Sequence, residues 1–173
     1  MHAEPLIRAL EAADLAAYKA LRDEMLELHP EAFTSDAPTE RARSAAAYLP
    51  RLGLDRADGG QFTLGAWHGD TLVGALTCEC DKRIKVRHIG HVVGMMVHPQ
   101  ARGRGIGSAL LAACIARARS SSGMEMLTLT VTSSNRPAVA LYEGAGFRRY
   151  GRLEHAIKLG DTYHDKDLMV LHF

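Results

Sequence analysis

Residues 98–111 read His-Pro-Gln-Ala-Arg-Gly-Arg-Gly-Ile-Gly-Ser-Ala-Leu-Leu, and no other stretch constrains the chain as much. An apolar extended run ends at Val97, and Pro99 removes a ladder donor. Gly103, Gly105 and Gly107 then alternate just before a helical pattern begins. Glycine admits positive φ and lets main-chain N–H groups approach a ligand closely. The first amides of the helix that follows lack intrahelical acceptors, and with the helix dipole they favour an anion. Arg102 and Arg104 add forked cations suited to phosphate. The unit reads as strand, turn and helix built to cradle a diphosphate. A plainer alternative is a tight turn whose glycines serve packing alone. A dinucleotide fingerprint fits poorly, because Ser108 stands where its third glycine belongs, and the Gly-Lys-Ser/Thr of a Walker loop is absent.

Around this unit the periodicity predicts about seven strands and about four helices. Leu6–Leu10 reads as a strand, and 14–29 as a helix with Asp14 at its N-cap. His29-Pro30 ends that helix, and a second is expected from Thr39 to Leu52-Gly53. Strands follow over 62–67, 72–80 and 87–98, the first two joined by a turn at 68–71. The helix opening at Ile106 carries an apolar stripe of Leu110, Leu111, Cys114 and Ala118. A strand over 127–131, a short helix over 137–143, and strands over 147–157 and 163–173 complete the chain. The expected class is α/β (α+β), one domain over 1–173 on a mostly antiparallel sheet.

Composition excludes several functions. With 173 residues, 47% of them hydrophobic, the chain buries a full core without disulfides or metal. A net charge of +1 argues against nucleic-acid binding by bulk basicity, so the run Arg148-Arg149-Tyr150-Gly151-Arg152 is expected to be a solvated strand face. The three cysteines, Cys78, Cys80 and Cys114, read as buried small side chains in a reducing compartment, with no metal site. The segment MHAEPLIRALEAAD does not resemble a secretory signal, and no apolar run is long enough for a membrane span. A cytoplasmic protein is expected, with no membrane partner.

Two motifs carry a resemblance. Arg102-x-x-Gly105-x-Gly107, preceded by Val97-His98-Pro99, is similar to the central motif of the GCN5-related N-acetyltransferase (GNAT) family. About 30 residues on, Asn135, Ala138, Leu141, Tyr142, Gly146 and Phe147 match the family's second motif. The resemblance implies a twisted sheet splayed between its two central strands, with acetyl-CoA as co-substrate and a primary amine as acceptor. It places pantetheine along Met95, Met96 and Val97, and the diphosphate on the amides from Arg102 through Gly103, Arg104, Gly105, Ile106 and Gly107 to Ser108. Asn135 is left to bond the pantetheine or to cap its helix, with Ala138 beside it. The family's general-acid role falls on Tyr142. Family relatives often pair, so a homodimer is among the assemblies implied.

Attack of an amine on a thioester needs a proton acceptor, an oxyanion donor and an acid for the thiolate. A phenol with an ordinary pKa near 10 stays protonated at neutral pH and suits the last of these. The oxyanion donor is expected to be the main-chain N–H of Met96 or Val97. Many GNAT relatives carry a glutamate on the motif strand, whereas 91–96 here reads His-Val-Val-Gly-Met-Met. His91 and His88 are candidate bases, and Glu27, Glu79, an ordered water chain or attack by an already neutral amine stay open. The GNAT resemblance implies an acceptor cleft between the Phe33–Pro38 loop and the turn at 158–161, with Phe33 and Glu27 as expected substrate contacts. The last strands, with Tyr163-x-Asp165, resemble relatives that acetylate small-molecule amines, which implies an amino acid, a polyamine or a related metabolite as acceptor, with a protein N-terminus or an antibiotic left open. The competing reading is an acyl-CoA-binding sensor without turnover. A nucleotide-binding protein using the same turn is a third.

Overall fold

The computed structural model describes residues 5–173; the opening of the expected domain and of the N-terminal segment, residues 1–4, lies outside them. Seven strands form one sheet: β1 (Leu6–Ala9), β2 (Phe62–His68), β3 (Thr71–Cys80), β4 (Ile89–Val97), β5 (Met126–Thr132), β6 (Arg148–Leu159) and β7 (Thr162–His172). Their order is β1-β2-β3-β4-β5-β7-β6, antiparallel throughout except for β4 and β5. The α-helices are α1 (Leu15–Leu28), α2 (Ala37–Arg41), α3 (Ile106–Ser120) and α4 (Arg136–Gly144).

Two apolar layers follow from the period-two alternation of the strands. On one face Leu76, Cys78 and Val92 pack against Leu110, Leu111 and Cys114 of α3. On the other, Ala75 and Met96 pack against Tyr18, Leu21 and Met25 of α1, with Tyr48 and Leu52 beside them. The cysteines are free and buried, as their apolar reading expects. Contact with Cys114, then burial, push the Cys78 thiol well up, which keeps it inert.

The second helix is a correction. A single helix was expected from Thr39 to Leu52, but α2 stops at Arg41 and a 3-10 stretch runs over Ala45–Leu52. Pro50 lies inside that stretch; it has no N–H, and its ring obstructs the carbonyl four residues back in an α-helix. The stretch closes on Gly53 at φ 64°, where a Cβ would come within 2.0 Å of the Gln61 carbonyl oxygen. Asp36 sets the start of α2 by accepting from the Thr39 N–H at 2.9 Å. Asp14 stands at the N-cap of α1, yet its carboxylate turns back to the Glu11 N–H at 2.8 Å and to Arg8. In the arginine run, Arg148, Arg149 and Tyr150 are exposed, while Arg152 donates to the buried Asp167 at 2.7 Å.

Two features of β4 position the site. It pairs with β5 over three rungs only: Ile89 with Met126, Gly90 with Leu127 and His91 with Thr128. Beyond His91 the two strands part. At Gly90 a Cβ would lie 2.6 Å from Leu127 Cδ2, so glycine permits the tight end of this ladder. On the other edge, Thr77 faces Val93 and Ala75 faces Met96, so Gly94 and Met95 together oppose Leu76 in a bulge. Gly94 takes φ 59° there.

Candidate active site

Where β4 and β5 part, a groove of about 880 Å³ passes between them. Its floor is the glycine-rich turn. Gly103 and Gly105 adopt φ 74° and 73°, and Gly105 is the N-cap of α3. The first bond into the helix runs from the Ala109 N–H to the Gly105 carbonyl at 2.9 Å. The Ile106, Gly107 and Ser108 N–H groups therefore have no helical acceptor, and all three residues line the groove. Gly107 serves a different purpose from its neighbours: a Cβ there would meet Leu141 at 3.3 Å and Met95 at 3.4 Å. Arg102 donates from Nε to the Val97 carbonyl at 3.2 Å and from Nη2 to His29 Nε2 at 2.9 Å.

The backbone direction of β4 narrows the choice of oxyanion donor. The His98 N–H donates to the Val73 carbonyl of β3 at 2.8 Å. Successive N–H groups of a strand point to opposite sides, so the Val97 N–H points away from β3 and into the gap. The Met96 N–H points back to β3.

From the β5 side, α4 contributes Asn135, Ala138 and Tyr142 to the lining. Asn135 Oδ1 accepts from the Ala138 N–H at 3.3 Å, so its carbonyl caps α4. Tyr142 is 6% exposed and meets Phe147 edge-on at 6.0 Å between ring centroids. Burial, then the neighbouring Cys114, push its phenol above the ordinary value, so the hydroxyl stays a donor at neutral pH.

A family model described as the Acetyltransferase (GNAT) family matches residues 20–147. The chain belongs to the GNAT family. It is 34% identical over 142 residues to a mycothiol acetyltransferase of Salinispora tropica, a match covering 81% of this chain and 46% of that protein. The chain thus spans about half the length of the curated relatives it matches. Among solved structures, an acetyltransferase of GNAT family from Streptococcus pneumoniae superposes with TM-score 0.87 at 28% identity, over 98% of this chain and all of that one. The fold is also that of yncA from Salmonella typhimurium, solved with its cofactor acetyl-CoA, at TM-score 0.83 and 21% identity over 98% and 94% of the two chains.

In this GNAT chain the groove collects every residue expected to hold the co-substrate except Arg104, which stays exposed on the turn. Neither candidate histidine lines it. His91 is exposed on the paired end of β4 and meets Thr128 Oγ1 at 2.6 Å. His88 precedes β4, and its carbonyl accepts from Glu125 and Met126, at the far end of the strand from the gap. Phe33 lines the groove, whereas Glu27 is ion-paired with Arg41 at 2.5 Å and borders a neighbouring cavity.

Sequence reasoning missed three cations. Arg22, Arg51 and Lys166 line the groove on its α1 side, together with Glu79. One signal for Arg22 was available: it sits among Tyr18, Leu21 and Met25 on the buried stripe of α1, where a cation needs a partner. Its Nε donates to Glu40 Oε2 at 2.9 Å, and Tyr48 donates to the same oxygen at 2.6 Å. Burial works against the Glu40 carboxylate, but the bonds from Tyr48 and Arg22 outweigh it and hold its pKa below the ordinary range. Burial and Glu40 push the Tyr48 phenol up to about 12. Among the described residues no group of three His, Cys, Asp or Glu side chains could hold a metal ion, and no helix is long and apolar enough to cross a membrane.

Proposed function

We propose that this chain transfers the acetyl group of acetyl-CoA to a primary amine of a small molecule. The observation that carries the reading is the groove opened by the parting of β4 and β5, with unsatisfied amides at one end and a buried phenol on its wall. The three free amides of α3 and Arg102 suit a diphosphate, and the unpaired edge of β4 suits the amides of pantetheine. Acetyl-CoA supplies the thioester. The amine nitrogen bonds to the carbonyl carbon, the carbon–sulfur bond breaks, and the sulfur takes a proton from Tyr142. The Val97 N–H faces the position where negative charge develops on the carbonyl oxygen. Glu79 takes the proton that the amine loses, directly or through water. It is a groove carboxylate 3.6 Å from Arg51 Nε, and β4 itself carries none.

The test is thiol release from acetyl-CoA across a panel of amines, with Tyr142→Phe and Glu79→Gln beside the wild type. Amine-dependent release that falls sharply in both variants supports the reading. Unchanged rates in Tyr142→Phe would remove the acid assignment. The lack of a carboxylate on β4 favours a second reading, an acyl-CoA sensor without turnover, which calorimetric binding of acetyl-CoA with no release on any amine would support.

A further inference from the structure

We infer that the acceptor amine carries an anionic group of its own, a carboxylate in the first instance, received by Arg22 with Arg51 and Lys166 on the α1 side of the groove. This rests on the acetyl-transfer reading and narrows its acceptor class.

Arg22 is 3% exposed, and a guanidinium that deep is costly unless its donors are used. Nε is used by Glu40, and Nη2 reaches Ser35 Oγ at 3.3 Å. Nη1 has no acceptor among the described residues, although Arg22 lines the groove. Glu40 has little left to give it: Oε2 already accepts from Tyr48, and Oε1 lies 3.3 Å from Arg43 Nε. Arg51 approaches the same point. Its Nη1 donates to the Tyr18 hydroxyl at 2.9 Å, while Glu79 lies 3.6 Å from its Nε, beyond a good hydrogen bond. A Cβ on Gly94 would stand 3.4 Å from Arg51 Nη1 and 3.8 Å from Arg22 Nη1, so the two guanidinium tips converge over the bulge of β4. Glycine there leaves the space that they border.

Lys166 is the third cation. Its Nζ donates to Thr34 Oγ1 at 2.7 Å and has no carboxylate partner among the described residues. Burial lowers its pKa, which marks a poorly solvated position where a bound anion is worth most. The groove's carboxylates are Glu79 and Glu31, and Glu31 lies 3.7 Å from His29 Nδ1 at the other end of the loop. Two guanidinium groups that converge beside Glu79, with Lys166 lining the same groove, match a molecule holding both an ammonium and a carboxylate. A polyamine would instead set its second charge against Arg22, Arg51 and Lys166, which costs affinity. Amino acids and similar zwitterions are thereby favoured among small amines.

The experiment compares amino acids with their own carboxamides, and with spermidine, in the thiol-release assay. The expected result is kcat/KM about ten- to hundredfold higher for the acids, the range of one charge-assisted hydrogen bond. Lys166→Met and Arg22→Lys should narrow that gap, the first without touching the buried Glu40 pair. Calorimetry on the coenzyme A complex, comparing N-acetyl amino acids with their amides, reads the same preference without turnover. Equal values for acids and amides in both measurements overturn the inference. Absence of release with every amine would defeat the acetyl-transfer reading, while calorimetry would still decide for or against the anion site.

Discussion

Arg102 Nη2 lies 2.9 Å from His29 Nε2 while its Nε holds the Val97 carbonyl at 3.2 Å, so one guanidinium joins the glycine-rich turn, the end of α1 and the end of β4. His29 must present an unprotonated Nε2 to accept this bond. His29→Ala removes one anchor and leaves the charge. It should raise the KM for acetyl-CoA roughly fivefold, from the net worth of about 1 kcal/mol for one hydrogen bond, and speed amide exchange over 98–105. Arg102→Met should raise KM further. Equal effects would mean that Arg102 acts only by holding the turn.

Replacing Tyr142 with Phe keeps the ring against Phe147 and deletes the proton donor. A fall in kcat of about 10²–10⁴-fold is expected, with the dissociation constant for acetyl-CoA unchanged. Rapid-quench turnover beside equilibrium binding separates the two. Because the phenol is held above its ordinary value, its ionisation should not limit the rate below about pH 10.

Gly94→Ala places a Cβ at φ 59° and 3.6 Å from the Tyr18 hydroxyl. Backbone strain of about 1–2 kcal/mol should appear as a lower melting temperature. The added methyl also fills space beside Arg51, so KM for the amine should rise more than KM for acetyl-CoA. A stability loss without that bias would show the bulge to be structural only.

Glu40 links acidity to stability. Its folded-state pKa lies below the unfolded value, so the unfolded chain binds the proton more tightly. Its contribution is complete above the ordinary carboxylate range and is lost as pH falls through the folded value. Denaturant unfolding from pH 7 down to pH 3 should show decreasing stability below about pH 4.5. Glu40→Gln should be less stable at pH 7 and show a shallower decline; an unchanged slope would assign the acid sensitivity elsewhere.

Local chemistry made the glycine-rich side of the groove legible. Proline, alternate glycines and a helical stripe stand within a few residues of one another from Val97 to Leu111, so chain order alone assembles the turn. Asn135 and Tyr142 likewise sit seven positions apart on or beside one short helix. The cationic α1 side was not legible, because Arg22, Arg51 and Gly94 meet only once α1, the 3-10 stretch and β4 are packed together. His91 failed as a groove residue for a related reason: alternation tells which face a strand residue takes, but not where along β4 the neighbouring strand leaves. The break after Arg41 went unread because the apolar spacing continued beyond it, with Pro50 as the local sign against one α-helix.

Three rungs between β4 and β5 are all that stitch the first four strands of the sheet to the last three. A coenzyme lying in that seam would serve as a missing strand, lending its own amides to both edges. Occupancy and cohesion would then rise together: at a hundred times the dissociation constant, saturation adds about 2.7 kcal/mol to the folded state. A melting curve taken against rising coenzyme therefore measures how tightly the seam is laced, before any acceptor has been found.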